Sequence, residues 1–301
     1  MRVLLCALCG ITVLLMLAGP SLDATVPPAF DGGNALEHVR HLVSLGPRTP
    51  GSAGLAQTRE YLRAQLTKAG VEMAEQAFEA ETPIGRVPMV NVRATIPGAS
   101  PDRIIIGGHY DTKLFREFRF VGANDAGSST AFLLEMARIL RARKNTFTIE
   151  LVFFDGEEAF VEWQGTDHTY GSRYYVDAAR RAGTLTTIKA MILIDMIGDR
   201  DLNIRRESAS TKWLTDAIWG SAARLGFGAF FLSDETPIED DHVAFLRAGI
   251  PAVDIIDLDY APWHTAGDTL DKVSARSMEI VGRVVMDALP VIEARLGPVR
   301  K

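Results

Sequence analysis

Ile149-Glu150-Leu151-Val152-Phe153-Phe154-Asp155-Gly156-Glu157-Glu158-Ala159-Phe160 decides the fold. Six β-prone and mostly apolar residues, Ile149 to Phe154, run straight into Asp-Gly, with two glutamates behind. A short apolar run bounded by a turn signal reads as a parallel strand buried on both faces. In open α/β sheets the chemistry collects beyond the carboxyl ends of such strands. Neighbouring residues leaving a strand point in different directions. Glu157 and Glu158 therefore suit different tasks, one holding a metal and the other free to move a proton. A lone Glu-Glu pair is usually solvated surface. Here three further strand ends also finish in acid or histidine, which favours the functional reading.

Outward from this strand the same grammar repeats. Residues 35–45 and 52–69 have helical periodicity, with Ser52 placed to cap the second helix. Strands are predicted around 71–80, 87–96 and 103–108, the last ending in His109-Tyr110-Asp111. A helix opens at Asp125, another follows Tyr170, and a buried strand over 188–194 ends at Asp195. Lys212–Leu225 is helical, and Asp240-Asp241-His242 opens a short helix. The strand 252–256 precedes Trp263-His264-Thr265, and a long helix runs from Ser274 to Leu296. Strands alternating with helices predict an α/β three-layer sandwich, a mostly parallel central sheet with helices on both faces.

The 301 residues are 47% hydrophobic and 23% charged, enough for a large core. No linker or repeat divides them, so residues 25–301 read as a single domain. The net charge of −6 and the lack of a basic stripe argue against a nucleic-acid partner. Met1-Arg2, an apolar run from Val3 to Ala18, Gly19-Pro20 and small residues near Ala24 describe a secretory signal over 1–24. Membrane association is expected only if that segment stays uncleaved as an anchor. Both cysteines, Cys6 and Cys9, lie within it, so the mature chain uses neither disulfides nor thiol chemistry. The signal predicts a secreted or periplasmic location, and the lack of an Asn-x-Ser/Thr site favours a bacterial envelope over a eukaryotic lumen.

The acids and histidines at strand ends are His109, Asp111, Asp125, Glu157, Glu158, Asp195, Asp240, Asp241, His242 and His264. Mixed carboxylate and imidazole without thiolate suits zinc in an open site with three protein ligands. Carboxylates alone would point to magnesium or calcium. No HExxH motif occurs, so the site must be assembled from distant segments. Taken singly, each residue has a plainer reading. Asp125 and Asp240 could be helix N-caps, Asp195 an acid in a turn, and Trp163 and Trp263 packing. His38, His41 and His168 read as surface residues, His242 as a supporting group, and Trp213 and Trp219 as helix packing.

Taken together and in order, Ile106–His109–Asp111, Gly122-Ala123-Asn124-Asp125, Asp155-Gly156-Glu157-Glu158, Asp240-Asp241-His242 and Trp263-His264-Thr265 resemble the zinc aminopeptidase superfamily over residues 35–296. Within it the chain looks most like the glutaminyl cyclases. The features are the insertion Ala159–Tyr170 with Trp163, the Asp-Asp-His in place of Ser-Asp-His, Trp263 before the histidine, and His109-Tyr110-Asp111-Thr112-Lys113. The sequence departs from the animal enzymes at Glu239, where they carry an amide, and in a loop before Trp263 shorter by about one residue.

The resemblance implies Asp125, Glu158 and His264 as zinc ligands, Glu157 as general acid/base, and Asp195 and Asp240 as its hydrogen-bond partners. Trp163 and Trp263 would line the substrate pocket. It implies one zinc per chain, a peptide or protein with N-terminal Gln as partner, and cyclisation to pyroglutamate with release of ammonia. The alternative is a two-zinc aminopeptidase, in which the residues at His109 and Asp195 hold the second metal. A non-catalytic binding domain is a third reading, disfavoured because it would not need an unliganded acid beside a metal.

Overall fold

The computed structural model describes residues 28–297. The 1–24 segment, with Cys6 and Cys9, lies outside them. No helix among the described residues is long and apolar enough to cross a membrane.

Four parallel strands form the middle of the structure: β3 (Ser100–His109), β4 (Phe147–Phe154), β5 (Ile188–Asp195) and β8 (Ala252–Ile256). Their side chains alternate between two apolar layers, as a strand's two-residue period requires. Ile104, Ile106, Ile149, Leu151, Ile192 and Ile194 face one core, while Ile105, Val152, Phe154, Met191 and Leu193 face the other. Each such side chain, fully buried, contributes roughly 1.5–3 kcal/mol. The first core is closed by helices α1 (Gly32–Leu45), α2 (Ala53–Lys68), α3 (Gly127–Ala142), α5 (Lys212–Arg224) and α7 (Ala275–Leu296). The second lies under α4 (Tyr170–Arg181) and α6 (His242–Arg247). The three-layer α/β sandwich expected from the sequence is the fold.

A hairpin of β1 (Glu72–Thr82) and β2 (Gly85–Ile96) extends this sheet antiparallel to β4, giving the order β1-β2-β4-β3-β5-β8. Its outer strand carries Glu72, Glu75, Glu79 and Glu81, charges that discourage edge-to-edge pairing. Glu150 is the one acid within the apolar run of β4. It is fully buried and is held by Arg93 and Arg103, each at 2.5 Å, and by the Tyr175 hydroxyl at 2.9 Å. Ser52 and Ser274 cap α2 and α7 through their side chains. A second, two-stranded sheet, β6 (Ile204–Glu207) with β7 (Phe231–Thr236), has no counterpart in the elements expected from the sequence. Both strands are short and half-exposed, so neither carries the apolar run that marks the central ones.

Candidate active site

All four parallel strands deliver a reactive residue at the same end of the sheet. β3 ends on His109 and β5 on Asp195. β4 turns at Gly156, where φ is 70° and a Cβ would come within 2.5 Å of the Met89 sulfur, and then releases Glu157 and Glu158. The loop after β8 carries His264, itself at a φ of 53°. Thr169, Met196 and His264 are the described non-glycine residues with positive φ, and all three flank this end of the sheet. Such conformations cost on the order of 1–3 kcal/mol each and persist where the surroundings enforce them.

Asp125 sits in a tight loop before α3. That helix starts at Gly127, and Ala126 at its N-cap makes no side-chain cap bond, so the Asp125 carboxylate is not a helix cap. The loop is clamped from two sides. Asp268 accepts the Asn124 and Asp125 N–H groups at 2.8 and 3.1 Å. The buried Arg48 guanidinium donates to the carbonyls of Val121 and Gly122 at 2.6 and 2.9 Å. The peptide bond Asp125–Ala126 is cis.

The two glutamates part as the strand geometry requires. One donor atom from each of Asp125, Glu158 and His264 lies within 4.8 Å of the others. His264 Nε2 is 3.1 Å from Glu158 Oε1 and 3.4 Å from Asp125 Oδ2. Glu157 turns instead toward His109 Nδ1, at 3.9 Å, and its backbone N–H donates to Asp111 at 3.2 Å. His109, Asp125 and Asp195 form a second convergent set, with His109 Nε2 3.1 Å from Asp125 and 3.2 Å from Asp195. A metal fits here. Asp125 Oδ2 is buried with no hydrogen-bond partner and faces His264, and an N/O donor set around such an orphaned oxygen is what a divalent cation satisfies.

The charges point the same way. Burial alone would raise Asp125, but the His109 and His264 rings that face it hold it far below the carboxylate range. His264 resists its own burial and rises to about 9 because Asp125 and Glu158 face it. Burial pushes Glu157 well up, helped by Asp240, Glu158 and Asp241 and opposed by His109. Burial likewise lifts Asp240, with Asp195 and Asp241 adding to the rise. So many buried carboxylates draw a positive charge inward, a role a bound cation takes over.

Above this centre opens a pocket of about 220 Å³, lined by Asp125, Glu157, Glu158, Asp195, Asp240 and His264 at its base. Trp163 and Trp263, 38% and 43% exposed, stand at its mouth with Leu258 and Glu239. Of the strand-end acids and histidines, Asp125, Glu157, Glu158, Asp195, Asp240 and His264 line this pocket, while His109, Asp111, Asp241 and His242 are buried outside its lining.

The sequence pattern of peptidase family M28 matches residues 91–289. The chain belongs to peptidase family M28. It is 30% identical over 268 residues to the glutaminyl-peptide cyclotransferase-like protein of Bos taurus, covering 79% of this chain and 70% of that one. Its structure superimposes on glutaminyl cyclase from an Acidobacteriales bacterium with a TM-score of 0.86 and 38% identity, over 92% of this chain and all of the other. Porphyromonas gingivalis glutaminyl cyclase follows at a TM-score of 0.80 and 31% identity, over 87% and 98%. The cyclases are thus the branch of M28 that this chain resembles.

The structure refines several of the readings made from composition and motif, within this M28 site and away from it. His168 is buried rather than at the surface, because its ring lies flat against Trp163 with centroids 4.4 Å apart. His38 is half-buried and shares a hydrogen bond of 2.7 Å with the Tyr61 hydroxyl, while His41 stays exposed. Asp240 bonds its neighbour's N–H instead of capping α6. His242 supports the floor, with Nε2 3.1 Å from Glu207. Lys113, whose Nζ donates to the Ala159 carbonyl at 3.0 Å and lies 3.5 Å from Glu158, ties the insertion to the metal-binding edge. Asp268 had no signal beyond standing four residues after His264.

Proposed function

We propose that this chain cyclises N-terminal glutaminyl residues of peptides and proteins to pyroglutamate with release of ammonia, using one zinc held by Asp125, Glu158 and His264. The observation that carries the reading is the division of the two glutamates. Glu158 joins the ligand set, while Glu157 lines the same small pocket without joining it.

Zinc in that position would polarise the γ-carbonyl oxygen of the glutamine. The nucleophile is the substrate's own α-amine, already tethered, so no water has to be activated. That amine has a pKa near ~8 and must lose a proton before it attacks. Glu157, facing the pocket, takes this proton and returns it to the amide nitrogen, which leaves as ammonia. Burial, with the charge of Asp195 adding to it, raises the Asp240 carboxyl well above its ordinary value. The pair can share a proton and hold the amide nitrogen. Trp163 and Trp263 wall a slot that folds the glutamine side chain back on its amine and keeps water out. Export through the 1–24 segment is part of the proposal and rests on the sequence alone.

The set His109–Asp125–Asp195 favours a second reading, a two-metal aminopeptidase. One assay separates them. A Gln-initiated peptide should lose ammonia while leucyl and alanyl peptides remain intact. Free leucine or alanine, with the Gln peptide unaltered in mass, would overturn the cyclase reading.

A further inference from the structure

Beside the catalytic pocket lies a second cavity of about 100 Å³. The two share one wall, made of Ile238, Ile256 and Leu258. On its far side stand Asn203, Arg205, Thr236 and Asp259, brought there by the small β6–β7 sheet and the loop after β8. This far side is built, not incidental. The carboxylate of Asp257, fully buried, accepts the Asn203 N–H at 2.8 Å and the Asp259 N–H at 3.2 Å, fixing the two segments against each other. Arg205 donates to Asp259 at 3.2 Å. The dividing ridge is apolar, and Leu258 on it is 39% exposed with no core to pack into. Trp163 and Trp263, also exposed, continue the apolar surface around the mouth of the first pocket.

We propose that this second cavity is the subsite for the third residue of the peptide substrate, with the second residue lying across the Ile238–Leu258 ridge. The proposal rests on the cyclase reading, which puts the first residue in the catalytic pocket and leaves the rest of the chain to exit at its mouth. A ridge one side chain thick is spanned by about two extended residues at ~3.4 Å each. Side chains alternate along an extended peptide, so the third can turn down where the second lay on the ridge. The lining then selects the side chain. Arg205 and Asp259 already neutralise each other, so the cavity offers no net charge to attract an ion. An acidic or basic side chain would meet one like charge for each opposite one. An amide and a hydroxyl beside an ion pair offer both donors and acceptors, which suits an uncharged polar side chain such as that of Asn or Thr. The small volume disfavours an aromatic ring.

The test compares three amidated substrates, Gln-Ala, Gln-Ala-Asn and Gln-Ala-Trp, on the zinc-loaded enzyme. One or two additional hydrogen bonds, each ~1 kcal/mol net, predict a KM about five- to thirty-fold lower for Gln-Ala-Asn than for Gln-Ala, with similar kcat. Gln-Ala-Trp should show no such gain. Thr236→Tyr, which fills the cavity, should bring the ratio of the two KM values to about one. Asn203→Ala, a milder change, should lower the same ratio several-fold, so the outcome does not depend on the larger substitution being tolerated. Equal KM values for Gln-Ala and Gln-Ala-Asn in the wild type would overturn the subsite. So would a ratio unmoved by both variants. Failure to cyclise any of the three, the dipeptide included, would instead refute the cyclase reading itself.

Discussion

Glu157 and Glu158 are covalent neighbours whose carboxylates belong to different machines. Glu158 faces His264 at 3.1 Å, and Glu157 faces away toward His109. Glu157→Gln keeps shape and removes the proton carrier, so turnover should fall by about 10²–10⁴-fold with metal content and melting temperature retained. Glu158→Gln should lose metal and activity together. Elemental analysis beside a rate assay distinguishes the two, and the reverse pattern would mean the roles are exchanged. The same analysis addresses His109. With one zinc per chain, His109→Ala keeps it. Two equivalents, one of them lost in that variant, would favour the aminopeptidase.

At the scale of the element, the insertion over 159–170 behaves as a small independent device. Asp167 organises it. One carboxylate, 7% exposed, accepts the backbone N–H groups of Phe160, Val161 and Glu162 at 3.1, 2.8 and 3.1 Å, and the Tyr170 hydroxyl at 2.8 Å. Burial would raise it, but these donors outweigh that and hold it below its ordinary value. The curl they impose presents Trp163, and His168 backs its ring. Asp167→Ala leaves several part-buried donors unpaired, at roughly 1–3 kcal/mol for each that stays dry. The expected result is a higher KM for Gln peptides at unchanged zinc content, because the wall moves while the ligands do not. A KM equal to wild type would show that Trp163 is held by other contacts.

On the scale of the whole molecule, stability and site meet beneath the pocket floor. Glu207 is buried, accepts from His242, Ala209 and Ser210, and bridges β6 to α6. Burial would push its carboxyl up, yet the His242 bond, with Ala209 and Ser210, brings it down to about 2. A carboxyl depressed on folding stabilises the native state fully above its unfolded value of about 4.5 and loses that contribution as pH falls toward 2. Glu207→Gln removes this component. Its melting temperature should lie below wild type at pH 6, with the gap narrowing steadily between pH 4.5 and 2.5. A gap independent of pH would assign the loss to packing alone.

The sequence by itself determined the sheet and where its chemistry would lie. Apolar runs such as Ile149–Phe154 can be buried only between two helical layers, and an acid following such a run has nowhere to go but the carboxyl edge. The order of Asp125, Glu157-Glu158 and His264 was legible because the motifs that carry them follow one another as they do in the zinc aminopeptidases. Tertiary structure alone decided the partners. Asp268 reaches Asn124 and Asp125 across more than 140 residues, Arg48 reaches Gly122 across 74, and His168 is buried only because Trp163 folds over it. The β6–β7 sheet was equally silent, since short half-exposed strands gain their stability from pairing rather than from a pattern of their own. Local preference is written residue by residue along the chain. A clamp between distant loops exists only once the sheet has brought them together, and no single segment carries its signature.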